Sequence, residues 1–219
     1  MTLAHPQIIK NTPLQSSFED NLLCNKLITK SIRSLGLLRK NRVLELNHGL
    51  CEHLPFLMKQ APDLKYFGME VSEKTVKSVN KLHKKYVDEG NALFQQFDGF
   101  NVPYVHNIFD RILTVNTLYY WEDPVAYFNE LFRSLKHGGV CVVSFADSLF
   151  LEQLPVLEDK NIYRFYDEDS LTKILLESNF KIFNIQELKE RVKTKDGGWN
   201  DESYFVLTLR KKEKIRFHR

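Results

Sequence analysis

Long apolar runs are missing from this 219-residue chain, and with them any segment of the length a membrane span needs. Its opening, MTLAHPQIIKNTPLQSS, holds no apolar core of signal-peptide length, which points to a cytoplasmic protein. Cysteine is scarce: Cys24, Cys51 and Cys141 lie far apart, without CxxC or zinc-finger spacing. Reduced thiols are therefore expected rather than a disulfide framework. Charge of one sign is lacking too, since 31 Lys and Arg against 28 Asp and Glu leave only +3, with no nucleic-acid footprint. Repeats and low-complexity blocks are absent, which removes solenoids.

What is there fits one well-buried α/β core: 43% hydrophobic residues and 27% charged in a chain too short for two full domains. The stretch Arg42–Ser72 organises the rest. Val43–Leu46 reads as a buried strand carrying Glu45, then a turn around Gly49, a helix through Leu54, Leu57 and Met58, and a strand over Tyr66–Val71 with Glu70 at its tip. A strand that enters a helix through a tight turn aims backbone N–H groups at a ligand. A carboxylate at the next strand's tip lies where the two hydroxyls of a ribose would fall. Glycine is thin here, however. The dinucleotide pattern GxGxxG laid on Asn47, Gly49 and Glu52 keeps one glycine of three, and Glu52 would meet a pyrophosphate with like charge. His48, Cys51 and His53 are close in sequence, but side chains on a turn-to-helix path need not converge, so no metal site is expected.

Val-Leu-Glu-Leu before the turn and Gly-Met-Glu-Val-Ser after the helix resemble the first two motifs of class I S-adenosylmethionine-dependent methyltransferases. Three alternating glycines usually follow the acid there; this chain has Asn47, Gly49 and Cys51. Phe97-Asp98-Gly99-Phe100-Asn101-Val102-Pro103 resembles the third motif, and Ile108–Trp121 resembles the fourth-motif strand and its loop, ending its strand near Asn116. Leu135-Lys136-His137-Gly138-Gly139 matches a helix–Leu-Lys-Pro-Gly-Gly–strand passage with His137 for proline. The resemblance covers roughly residues 42–210.

It implies a Rossmann-like α/β fold: a seven-stranded, mainly parallel sheet of order 3-2-1-4-5-7-6, strand seven antiparallel, with helices on both faces. Residues 1–41 would form an N-terminal helical extension, in which a helix from Ser16 or Ser17 to Leu35 packs beside the sheet or closes as a lid with Phe18 on the ligand. Residues 42–210 would be the Rossmann domain, its last two strands (Ile182–Leu188 and Tyr204–Arg210) joined across Gly197-Gly198, and 211–219 a solvated basic tail.

The implied cofactor is S-adenosylmethionine, held by Glu45, Asn47, Gly49, Glu70, Val71, Asp98, Gly99 and Asn116. Of these, Glu45 would fix the turn and the cofactor's amino-acid end, Glu70 the ribose, and Asp98 with the Gly99 N–H the adenine. Tyr119, Tyr120, Trp121, Tyr163 and Tyr166 would lie on the acceptor side. Transfer from an activated sulfonium needs positioning above all, so no catalytic base is named. The expected activity is methyl transfer to a small-molecule acceptor, with no nucleic-acid or membrane partner. The alternative is a non-catalytic cofactor-binding or partner-binding protein on the same fold.

Overall fold

β1 (Arg42–Leu46) is buried along its last four residues because it runs between β2 (Lys65–Glu70) and β4 (Phe109–Val115). A strand covered on both faces has no use for polar alternation, and Val43, Leu44 and Leu46 supply none. The computed structural model describes residues 22–147, 164, 166–193 and 198–212. Between the first strands lie the short α2 (Leu54–Met58), then α3 (Glu73–Leu82) and α4 (Lys84–Asp88), followed by β3 (Ala92–Gln96). Ser72 caps α3 by accepting the Thr75 N–H at 3.2 Å. After β4, one 3₁₀ turn (Leu118–Tyr120) leads to α5 (Pro124–Ser134), capped by Asp123 on the Ala126 N–H.

β5 (Leu135–Ala146) begins five residues before Val140, so the passage around His137 is itself strand, irregular where it leaves Phe109. α6 (Glu168–Glu177) opens on a capping box of Asp167 and Ser170. β6 (Ile182–Lys193) and β7 (Trp199–Arg210) then close the sheet. Their pairing continues to Lys193↔Trp199, well beyond the Leu188 and Tyr204 at which the strands were expected to end. The order is β3-β2-β1-β4-β5-β7-β6, parallel throughout except that β7 runs against both neighbours. This is the expected seven-stranded Rossmann-like architecture.

Two terminal segments join the core more firmly than expected. α1 (Leu22–Ser34) lies against β4, β5 and β7, and Leu27, Ile32 and Leu35 are buried there. Ser31 Oγ meets Ser144 Oγ at 2.5 Å, and Arg111 donates to the Gly36 carbonyl at 2.9 Å. Residues 22–34 thus pack beside the sheet; the expected helix start and Phe18 fall outside the described residues. Lys211, expected to begin a solvated tail, is buried instead. Its ammonium donates to Asn107 Oδ1 and to the carbonyls of Phe132 and Leu135 at 2.7–2.9 Å. Three oxygen acceptors converge on this end of β5, and a long cationic side chain satisfies all of them.

Candidate functional site at the strand tips

Parallel pairing sets Leu46 beside Met69, Met69 beside Gln95 and Leu46 beside Thr114, so the loops after β1, β2, β3 and β4 leave the sheet along one edge. The first turn repeats one backbone feature at alternate residues. Asn47 (φ +54°), Gly49 (φ +56°) and Cys51 (φ +53°) all adopt the left-handed region, which glycine enters without strain. Two side chains therefore occupy a glycine-like backbone path. For asparagine this is tolerable, while for cysteine it costs about 1–2 kcal/mol.

Glu70 is 2% exposed, far from the solvated strand-end acid that sequence alone makes plausible. Its Oε2 accepts the Gly49 N–H at 3.2 Å, and its Oε1 accepts the N–H groups of Val71 and Ser72 at 2.8 and 3.3 Å. It thus ties the first turn to the second strand. Asn47 is anchored by its own N–H on the Met69 carbonyl at 2.7 Å, leaving Oδ1 buried with no hydrogen-bond partner among the described residues. An orphan acceptor in that place asks for an N–H or ammonium donor.

Asp98 is exposed, and its carboxylate accepts the backbone N–H groups of Phe100 and Asn101, shaping the loop around the buried Gly99. Asn116, at φ +56° just past β4, holds to β5 through its N–H on the Ser144 carbonyl at 2.7 Å. The aromatic residues that follow divide. Tyr120 keeps part of its surface, whereas Tyr119 and Trp121 are each 1% exposed. The Tyr119 hydroxyl is bonded to the Ala146 backbone, and Trp121 stacks on Tyr127 at 4.1 Å. Both pack the loop onto the core, as aromatic side chains do when sheet surface is available to cover. Tyr166 is also buried, and Tyr163 lies outside the described residues.

Glu45 points beneath the turn, where it is 2% exposed. Its Oε2 accepts from the Tyr66 hydroxyl at 2.7 Å and pairs with His53 Nε2 at 2.8 Å; Cys51 Sγ lies 3.1 Å from the same hydroxyl. Since Tyr66 gives its proton to Glu45, the thiol donates to Tyr66. These bonds tie β1 to β2 and to the start of α2. Burial alone would raise the carboxyl's pKa, but the His53 charge and hydrogen bond bring it below its ordinary value. Burial likewise works against a charged His53, yet Glu45 carries its pKa well above normal. Burial pushes the Cys51 thiol up.

His48 sits against Phe94 at 5.2 Å between ring centroids and over Gly68, where a Cβ would come within 2.7 Å of the imidazole. Gly68 is thus the gap that admits His48. Its Nδ1 meets the Gly49 carbonyl at 2.8 Å. Sequence reasoning named Cys51 and His53 but expected no convergence. The left-handed turn at Cys51 folds its thiol back toward the sheet. Tyr66 was missed; the available signal was strand periodicity, which puts Tyr66, Gly68 and Glu70 on one face.

This sheet order is that of the Rossmann-like methyltransferase fold. Residues 39–143 match the family model described as a methyltransferase domain, so the resemblance read from the motifs stands. The chain is 26% identical over 115 residues to the uncharacterized methyltransferase YdaC of Bacillus subtilis, covering 52% of this chain and 61% of that protein. It is 25% identical over 147 residues to norajmaline N-methyltransferase of Rauvolfia serpentina, covering 65% of this chain and 50% of that one. The chain thus spans about half to three fifths of these relatives' lengths. A crystal structure of a SAM-dependent methyltransferase from Aquifex aeolicus superimposes with a TM-score of 0.66 at 18% identity, over 91% of this chain and 99% of the other.

Proposed function

We propose that this chain is an S-adenosylmethionine-dependent methyltransferase whose acceptor is a small molecule. The observation that carries the reading is the first turn: left-handed at all three glycine places, joined to Glu70, and presenting an unpartnered Asn47 Oδ1. Those residues fit the cofactor. Glu70 would take the ribose hydroxyls, since a carboxylate at the strand tip is an acceptor for O–H donors. Asn47 Oδ1 would accept from the ammonium of the amino-acid end, Gly49 and Val71 would line the approach, and Gly99 would offer its N–H to the adenine, with Asp98 shaping that loop. Asn116 would line the cofactor and Tyr120 the acceptor side, with Tyr119 and Trp121 packed beneath their loop.

Bound S-adenosylmethionine supplies an already activated methyl group, so the protein's task is to orient the acceptor for in-line attack and keep water out. A base is required only for an acceptor that must lose a proton. The small-molecule reading draws support from the name of the Rauvolfia relative, norajmaline N-methyltransferase. In the competing reading the same fold binds a partner without turnover; its one support is that Asn47 and Cys51 replace two of the turn's three glycines.

Titration calorimetry with S-adenosylhomocysteine separates the two. Saturable binding is expected, weakened about 10- to 100-fold in Glu70→Ala, because hydrogen bonds to a charged group are worth about 1.5–3 kcal/mol. Glu70→Gln should fall between. Since Glu70 also secures the Gly49 N–H, Glu70→Ala should lose stability as well. No heat at millimolar ligand with the parent chain would move the assignment to the partner-binding class.

A further inference from the structure

We propose that Glu45, Cys51 and His53 form a binding site for a thiophilic divalent cation, Zn²⁺ in the first instance, beneath the turn that follows β1. The three ligand atoms lie within 4.8 Å of one another, with Glu45 Oε2 at 2.8 Å and Cys51 Sγ at 3.8 Å from His53 Nε2. Bond lengths of about 2.0–2.3 Å in a tetrahedral zinc site put ligand atoms about 3.3–3.8 Å apart, so the group needs shifts of under about 1 Å. Sulfur and nitrogen beside one carboxylate oxygen select zinc-like ions over calcium or magnesium, which take oxygen.

Charge agrees with this assignment. Carboxylate, thiolate and neutral imidazole total −2, which one divalent cation cancels, so the buried cluster stays neutral overall. The thiol proton of Cys51 and the Nε2 proton of His53 leave to solvent as the cation enters; no bond to carbon changes and nothing is oxidised. Tyr66 stands where an orienting outer residue belongs, donating to the ligating carboxylate at 2.7 Å. His53, with 8% of its side chain exposed against 2% for Glu45, marks the route of entry. Two ligands, Glu45 and Cys51, bracket Asn47–Gly49, so the ion would pin the turn that bare glycines leave flexible. This site stands on the chain's own residues and not on the cofactor assignment.

The test titrates the chelator-treated full chain with Zn²⁺ and with Co²⁺. One equivalent of Zn²⁺ should bind and raise the melting midpoint, and Co²⁺ should give a thiolate-to-metal charge-transfer band in the near ultraviolet. Cys51→Gly should lose the band and the Zn²⁺-induced shift while still melting cooperatively, because glycine suits φ +53°. Tyr66→Phe should weaken Zn²⁺ about 10- to 100-fold. Absence of saturable Zn²⁺ uptake by the folded parent would overturn the proposal, as would an unchanged band in Cys51→Gly. None of these readings involves S-adenosylhomocysteine, so failure here and failure of the methyltransferase reading are separable.

Discussion

Cys51 holds a left-handed backbone at the third glycine place of the first turn, and its thiol turns inward to Tyr66. In metal-free protein, Cys51→Gly exchanges a strained conformation worth about 1–2 kcal/mol for the loss of a buried hydrogen-bonded thiol. Affinity for S-adenosylhomocysteine should be unchanged or higher, read by calorimetry, since removing a Cβ opens the approach. His48 gives the residue scale a pH signature. Burial lowers its pKa from 6.5 to about 4. The unfolded chain takes up the proton first as pH falls, so stability declines below 6.5 and levels off below about 4. Full expression of that shift costs about 3 kcal/mol. The raised His53 contributes fully below 6.5 and fades only as pH rises through its folded value, and the lowered Glu45 contributes fully above 4.5 and fades only below it. Urea unfolding at pH 6.5 and 4.5 should therefore show the decline in the parent chain and a flatter profile in His48→Gln.

Elements meet this site through the sheet, and α1 shows how far the support extends. Its buried face, the serine pair with β5 and the Arg111 contact with Gly36 all cross from residues 27–36 to the central strands. Deleting residues 1–35 should expose β4 and β5 to water and remove several buried apolar side chains, each worth about 1.5–3 kcal/mol. The expected result is loss of cooperative melting by circular dichroism. A truncated chain that still melts cooperatively would restore the lid reading for the segment. The hairpin at the other edge extends past its expected ends because backbone pairing continues where apolar alternation stops, through Glu190, Glu202, Arg191 and Asp201.

For the molecule as a whole, closure depends on Lys211. It joins the chain after β7 to the loop before β4, the end of α5 and the start of β5. Its ammonium also lies 4.3 Å from the Phe132 ring centroid. Burial lowers its pKa, but three oxygen acceptors keep the ammonium satisfied. Lys211→Ala strands two backbone carbonyls and should cost about 2–3 kcal/mol in denaturant unfolding. Lys212→Ala, an exposed neighbour, should leave the midpoint in place.

Strand order was implied only by the resemblance of the motifs. The alternation of strands with helices and the tip positions of Glu70, Asp98 and Asn116 were legible in the chain itself, because apolar runs and turn residues are local signals. The same is true of the α5 cap at Asp123-Pro124. Three matters were decided only by tertiary structure. One is the inward path of Glu45, Cys51 and His53, which needs Tyr66 brought over from β2 by the ladder. Another is the burial of Lys211, whose acceptors come from residues 107, 132 and 135. The last is the division among Tyr119, Tyr120 and Trp121, where packing partners on β5 and α5 choose which ring is covered. Local propensity names a residue's character, but a buried polar contact is made by groups distant in sequence, and only the folded sheet brings them within hydrogen-bond reach.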